Sequence, residues 1–84
     1  MEHRAVFRFK DRNAEKIYYA IAPEMAGEVN TRSNAECWLE SGDILVLQVM
    51  ASDVGALRAS LNMWLRLVNV AKEMQELGIL KGGY

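Results

Sequence analysis

The sequence contains one cysteine and one histidine, and the scarcity of each excludes a class of site. Cys37 alone cannot close an internal disulfide or build a cysteine-rich metal site, which indicates a reducing compartment. His3 has no positioned partner for acid–base catalysis. The spacings of phosphate loops, dinucleotide-binding turns and zinc proteases are all absent. We therefore expect no enzyme activity, no cofactor and no metal site in this chain.

Long apolar runs and an excess of one charge are also missing. The longest apolar run, 44–51, is interrupted by Gln48 and is far shorter than the roughly 20 residues that a membrane span needs. No signal-peptide pattern is present. Ten Lys and Arg against eleven Asp and Glu give a formal net charge of -1, so no overall field attracts nucleic acid. We expect a cytoplasmic protein without membrane contact.

The length and the apolar content predict one small folded domain. The 84 residues are 51 % hydrophobic and 25 % charged, which is typical of a globular chain. A chain of this size is near the lower limit for a self-sufficient core, and oligomerisation would relieve that limit. We expect a single domain over 1–84, with 79–84 as a flexible tail.

Hydrophobic periodicity predicts the element order β-α-β-β-α. The alternating segments that predict strands are Arg4–Lys10, Ser33–Glu40 and Asp43–Ala51. Helical spacing predicts a short helix, Arg12–Ala22, which Asp11 can cap and Pro23 stops, although Glu24–Val29 could add a turn. A turn at Ser41-Gly42 joins the second and third strands into a hairpin. The fold class is α+β, a two-layer sandwich with a three-stranded antiparallel sheet and both helices on one face.

The longest helical pattern, 52–77, carries two apolar stripes about 120° apart at 100° per residue. The first contains Val54, Leu57, Leu61, Trp64, Val68 and Ala71; the second contains Ala56, Ser60, Met63, Leu67, Val70, Met74 and Leu77. We expect Ser52 or Asp53 to cap this helix and Gly78 to end it. One stripe is enough to cover a small sheet. The second stripe therefore predicts contact with the first helix or with another chain.

A row of polar residues borders the second stripe: Arg58, Asn62, Arg66 and Asn69. Such a row is compatible with an ordinary solvated helix face. It also resembles the rim of a protein interface. Both interpretations stay open on the sequence alone. A stand-alone RNA-binding module of α+β type is the alternative function, although the chain has neither the GXXG loop of KH domains nor the aromatic strand pattern of an RRM.

The run ALRASLNMWLRLV, Ala56–Val68, resembles the signature on the last helix of the small dimerisation subunit of the KEOPS complex, the CTAG/Pcc family. Shorter upstream pieces agree in order: Ile17-Tyr18, Ala22-Pro23-Glu24, Arg32-Ser33 and Ala51-Ser52-Asp53. The similarity extends from about Ala5 to Glu73. This motif concerns packing and interfaces rather than chemistry.

The resemblance implies a non-catalytic subunit of the assembly that makes threonylcarbamoyladenosine on tRNA next to the anticodon. ATP, metal and threonylcarbamoyl-AMP belong to its partners. The subunit forms a dimer with itself or a paralogue, holds the catalytic subunit through its helices, joins two copies of the complex and takes part in presenting tRNA through the assembly.

The residues expected at the partner or dimer interface are Arg58, Asn62, Met63, Arg66, Leu67, Val70 and Met74. Leu67, in the centre of the second stripe, is expected to be covered by a partner and not to be essential to the core of its own chain. Leu61, in the first stripe, is expected to be essential to that core.

Overall fold

The computed structural model describes residues 2–26 and 32–77 and has the predicted element order. Its elements are β1 (His3–Lys10), α1 (Ala14–Ala26), β2 (Ser33–Ser41), β3 (Ile44–Ala51) and α2 (Val54–Glu76). The strands agree with the sequence prediction to within one residue at each end. The predicted fold class, α+β with a single antiparallel sheet, is confirmed.

The sheet has the strand order β1-β3-β2, so β3 lies in the centre and is paired antiparallel on both sides. Leu47 in β3 lies opposite Phe7 on one neighbour and Cys37 on the other. The β1 pairing runs without interruption, whereas the β2 pairing shifts between Leu39 and Ser41. That shift is a bulge, and it leaves one edge of the sheet regular and the other irregular.

The core lies between the sheet and the two helices. The alternate residues of β3 that face the helices are all at most 1 % exposed: Leu45, Leu47, Val49 and Ala51. One cluster joins α1 to the second half of α2 and contains Ala14, Ile17, Ile21, Leu45, Val68 and Ala71. A second cluster contains Leu47, Val49 and Trp64. Phe9, Met25 and Leu67 pack against both clusters, so the two form one continuous core.

The outer face of the sheet is covered in part by its own side chains. Val46 points away from the helices yet is 0 % exposed. It lies between Arg8 and Trp38 on the neighbouring strands. The Nε atom of Arg8 donates to Oε1 of Glu40 at 3.1 Å, which joins the two outer strands across β3. Little apolar surface is therefore left at the centre of this face, although Val6 remains exposed.

The first helix does not stop at Pro23, and this part of the prediction was wrong. Helix α1 begins at Ala14 and continues through Pro23 to Ala26. An interior proline removes one hydrogen bond and costs about 3 kcal/mol or more. Met25, one turn beyond the middle of the helix, packs against both core clusters, and this burial offsets the cost. The added turn that Glu24 could supply, the alternative left open by the sequence, is present as far as Ala26.

The chain turns into α1 at Asp11. The Asn13 N–H donates to Oδ1 of Asp11 at 2.7 Å, and the Ala14 N–H donates to the Asp11 carbonyl at 3.0 Å. These two bonds form a tight turn before the helix. They explain why α1 begins two residues later than the predicted Arg12.

Asp53, one of the two predicted candidates, is the N-cap of α2. Its Oδ1 accepts a hydrogen bond from the Ala56 N–H at 2.7 Å, and Arg32 forms an ion pair with its Oδ2. The Ser52 N–H donates to the Arg32 carbonyl at 2.9 Å. These contacts hold the start of β2 beside the start of α2. The helix ends at Glu76 with Leu77 as its C-cap; Gly78 and the tail 79–84 lie outside the described residues.

We expect the cap and the ion pair of Asp53 to be separable by substitution. Asp53→Ala removes both interactions and should lower the melting temperature around pH 7 more than Asp53→Asn, which keeps an acceptor for the Ala56 N–H. Arg32 and the Ala56 N–H lower the pKa of Asp53 below its usual 3.8. A carboxylate with a lowered folded-state pKa stabilises the fold above its unfolded pKa, and the stabilisation disappears as the pH falls through the folded value.

The measurement is chemical denaturation of wild type and both variants around pH 7 and about pH 3. The difference in stability between wild type and Asp53→Asn should shrink at the lower pH. A difference that stays the same at both pH values would contradict a role for the carboxylate charge.

Candidate protein interface

One side of α2 carries exposed apolar side chains that the chain itself does not cover. Met63 is 37 % exposed, Val70 is 42 % exposed and Met74 is 36 % exposed. The three were assigned to the second apolar stripe of the helix. Spacings of seven and four residues keep them on one side of the helix over three turns. We call these three residues the apolar row of α2.

Exposed polar side chains occupy the solvent side of α2; Arg66 lies next to the apolar row, and Asn62 and Arg58 lie progressively further round the helix. Arg58, Asn62 and Arg66 are all exposed on α2. Within residues 2–26 and 32–77, neither of these arginines forms an ion pair. A row of apolar side chains with unpaired cations at its margin has the composition of a protein interface, with an apolar centre and a polar rim.

Leu67 belongs to the core of its own chain, which differs from the expectation for this residue. It is half-buried and packs against both core clusters. Leu61 is also half-buried but packs against the second cluster alone. The reason for the difference is the position of α1, which approaches α2 on the side of Leu67. A partner on the apolar row could touch only the exposed part of this side chain.

Three further residues of α2 differ in burial from the predicted stripes. Ser60 is 7 % exposed, and Gln75, which the sequence assigned to neither stripe, is 5 % exposed. Val54, the first residue of the helix, is exposed although it was placed in the first stripe. The burial of Gln75 has a sequence signal, since it lies four residues after Ala71 on the same helix face.

Phe7 on β1 gives the edge of the sheet an apolar character that sequence alternation did not reveal. It lies opposite the buried Leu47 of β3, on the sheet face that packs against the helices. It nevertheless remains 38 % exposed, because β1 is an edge strand with a neighbouring strand on one side only. Phe7 stacks on Phe9 with ring centroids 6.4 Å apart. Leu61 and Leu65 of α2 are both half-buried and pack on the neighbouring second cluster.

Burial raises the pKa of the Cys37 thiol above its usual value, which favours the neutral and less nucleophilic form. Across residues 2–26 and 32–77, no group of three His, Cys, Asp or Glu side chains is placed to hold a metal ion. In the same ranges, neither helix combines the length and the apolar character of a membrane span.

The apolar row and its polar rim lie on α2, the helix whose sequence resembles the family signature. Residues 2–76 match the family described as transcription factor Pcc1. The chain belongs to the Pcc1 family. This is the family of a KEOPS complex subunit, and it is linked to tRNA modification. A comparison with curated proteins found no match.

The Pcc1-family match includes all five secondary-structure elements. It therefore covers both surfaces described above, the apolar row of α2 and the edge of β1. The earlier resemblance to this family is confirmed, and with it the association with KEOPS.

A carboxylate introduced into the core should change the free energy of unfolding much more than one introduced into the apolar row. Leu67→Glu and Leu61→Glu should each lower the free energy of unfolding by several kcal/mol, because an unpaired carboxylate is forced against the core. Val70→Glu should change it by about 0.5 kcal/mol or less, since that side chain is exposed. Urea denaturation followed by circular dichroism measures all three. Loss of the fold in Val70→Glu would show that the row is part of the core.

Proposed function

We propose that this chain is the non-catalytic dimerisation and scaffold subunit of the KEOPS complex, the machine that makes threonylcarbamoyladenosine on tRNA next to the anticodon. It binds the catalytic subunit through its helices and bridges two copies of the complex. The observation that carries the proposal is the family match over 2–76 together with an uncovered apolar row on the helix that holds the family signature.

The apolar row of α2 is the proposed surface for the catalytic subunit. Met63, Val70 and Met74 supply adaptable apolar contact, because unbranched methionine side chains fit irregular partner surfaces. Arg58 and Arg66 at the rim supply charge contacts, and arginine is enriched in interfaces. A partner that covers this row would remove from water the exposed apolar surface that the isolated chain leaves on α2.

The free edge of β1 is the proposed dimer surface. Within residues 2–26 and 32–77 this strand pairs with β3 alone, so the backbone groups along its other side are open to a further strand. Its pairing is regular over His3–Lys10, and Phe7 offers apolar contact beside it. The opposite edge, β2, has a bulge and exposed Glu36 and Glu40, features that disfavour strand addition. A second copy or a paralogue added at β1 would extend the sheet to six strands.

The proposed function also concerns catalysis, contact with tRNA and location in the cell. The chain contributes no catalytic group, so chemistry belongs to its partners, and any contact with tRNA is made through the assembled complex. We place the single domain, 1–84, in the cytoplasm. Support for this location comes from the family and from an unpaired Cys37, which fits a reducing compartment.

Arg66→Ala tests the surface for the catalytic subunit. Loss of this side chain should weaken binding by about 1 to 3 kcal/mol and leave the isolated fold almost unchanged, because Arg66 is exposed at the rim. Arg12→Ala is the matched control, since Arg12 is an exposed arginine in the turn before α1. Pull-down and calorimetric titration with the catalytic subunit of the same organism measure the effect. Absence of binding by wild type would contradict the proposed function.

Phe7→Ser tests the dimer surface against Val6→Ser. The two side chains are adjacent in β1 and nearly equally exposed, at 38 % and 39 %, but they lie on opposite faces of the sheet. Phe7→Ser should weaken dimerisation at least about tenfold, the effect of roughly 1.4 kcal/mol of lost contact. Val6→Ser should weaken it less. Sedimentation over a range of concentrations measures both; a wild-type chain that stays monomeric at all concentrations would exclude the dimer.

A further inference from the structure

Strand β1 carries a column of cations on the face of the sheet that points away from the helices. Arg4, Arg8 and Lys10 lie on this face, because side chains alternate along a strand, and all three are exposed. The neighbouring strand β3 brings no charge to them at the two ends: Arg4 lies opposite Met50, and Lys10 lies opposite Ile44. The charge of the column is therefore not balanced by the strand beside it.

Arg8, the middle cation of the column, is neutralised within its own chain. Its Nε donates to Oε1 of Glu40 and its Nη2 donates to Oε2, both at 3.1 Å. Arg4 and Lys10, in contrast, form no ion pair within residues 2–26 and 32–77. The two lie six residues apart in an extended strand, a separation of about 20 Å. Within one chain, these two cations cannot contact the same small anion.

A second copy added at the open edge of β1 changes this arrangement. About a two-fold axis, two copies of β1 can pair antiparallel, with the helices of both copies on one face of the sheet, or parallel, with the helices on opposite faces. The antiparallel pair places the exposed Phe7 rings of both copies on the same face, where they can make apolar contact. We therefore take the antiparallel pair, in which the open faces of the two sheets form one surface.

The symmetry also determines which residues of the two copies lie opposite each other. In a two-fold antiparallel pair, one residue lies opposite its own copy, and opposite residues share a face. We place Phe7 at this position, because it is exposed and because aromatic side chains paired across strands are favourable. Counting three residues from Phe7 in each direction places Arg4 opposite the partner's Lys10, with Cβ atoms about 5 Å apart on the open face.

Two cations held opposite each other repel one another and attract a shared anion. Like charges directly opposite each other in a sheet are destabilising. A phosphate group carries about -1.5 to -2 charges near pH 7, which neutralises both cations, whereas a carboxylate carries a single charge. The planar guanidinium of arginine donates two parallel hydrogen bonds to phosphate oxygens, and lysine adds a compact positive charge. The pair formed by Arg4 and the partner's Lys10 therefore favours a phosphate group.

We propose that the dimer has two phosphate sites on the open face of its sheet, each formed by Arg4 of one copy and Lys10 of the other. Each site is incomplete in a single chain, because its two cations come from different copies. The inference rests on the proposed function, since it requires the dimer through β1. The ligand is a phosphate group, of a small phosphate compound or of an RNA backbone. The two sites lie about 20 Å apart, so one RNA strand can reach both, whereas a small compound occupies one.

The test measures how phosphate compounds change dimerisation. Sedimentation over a range of concentrations gives the dimer dissociation constant in sodium chloride, with sodium pyrophosphate and with a short single-stranded oligouridylate. The ionic strength is kept equal, because salt alone screens the repulsion between the cations. A probe that binds the dimer and not the single chain should lower the dissociation constant of wild type at least about tenfold. A response to pyrophosphate identifies a small phosphate compound as sufficient, and a response to the RNA alone identifies the backbone of a polymer.

Arg4→Gln and Lys10→Gln test the two cations. Each variant should dimerise at least as tightly as wild type in chloride, because the pair of like charges is gone, and should lose most of the response to the probe. Lys16→Gln is the matched control, since Lys16 is an exposed lysine on α1, and it should respond like wild type. A residue with a merely structural role would change dimerisation in chloride and leave the response to the probe unaltered.

An equimolar mixture of the two variants tests whether each site is shared between copies. A mixed dimer of an Arg4→Gln chain and a Lys10→Gln chain has one site with both cations and one site with neither. The probe should therefore tighten dimerisation in the mixture more than in either variant alone. A mixture that responds no better than the single variants would overturn the assignment of the two cations to different copies.

The outcomes separate the phosphate sites from the dimer on which they rest. A wild-type chain that dimerises but responds to neither probe would overturn the sites and leave the dimer standing. An unchanged response in Arg4→Gln would have the same meaning. A wild-type chain that stays monomeric in chloride and with both probes would overturn the dimer and the sites together. Tighter dimerisation of wild type with a probe, its loss in both variants and its recovery in the mixture is the expected result.

Discussion

The contact of Trp64 with Leu47 and Val49 is the interaction on which the rest of the structure depends. Trp64 lies near the middle of α2 and is 1 % exposed against the central strand. Because an indole of this size fits only when its helix face points at the sheet, it fixes the rotation of α2 about its own axis. That rotation decides which side chains of α2 enter the core and which remain in water. The exposed apolar row of α2 is a consequence of it.

The central position of β3 imposes a second constraint. A three-stranded sheet with its middle strand buried under both helices has two edges and one open face. The Arg8–Glu40 pair crosses the open face, and Val46 beneath it is buried. The bulge near Glu40 makes one edge irregular. Within the described residues, the regular edge of β1 and the apolar row of α2 are two separate surfaces.

Much of this arrangement could be predicted from the sequence, because alternation and helical spacing report burial directly. Alternation indicates the inner residues of β3. The residue type just before the helical pattern indicates the capping role of Asp53. The continuation of α1 through Pro23 could not be predicted, because it depends on Met25 reaching a core formed by residues distant in sequence. The burial of Leu67 has the same dependence: helical spacing shows that a side chain is apolar and on one face, but not whether α1 or another chain covers that face. The partner itself came from family resemblance and not from any spacing.

The pairing of β1 with β3 has a consequence for the order in which the chain folds. The hairpin of β2 and β3 joins neighbours in sequence, and such hairpins form within microseconds. Strand β1 must instead find a partner about forty residues away, which requires closing a long loop and is slower. During synthesis β1 emerges first, yet it has nothing to pair with until β3 has left the ribosome. The strand that carries the open edge is thus the last to join the sheet, and until it docks, Leu47 and Val49 lie next to an unpaired border of β3.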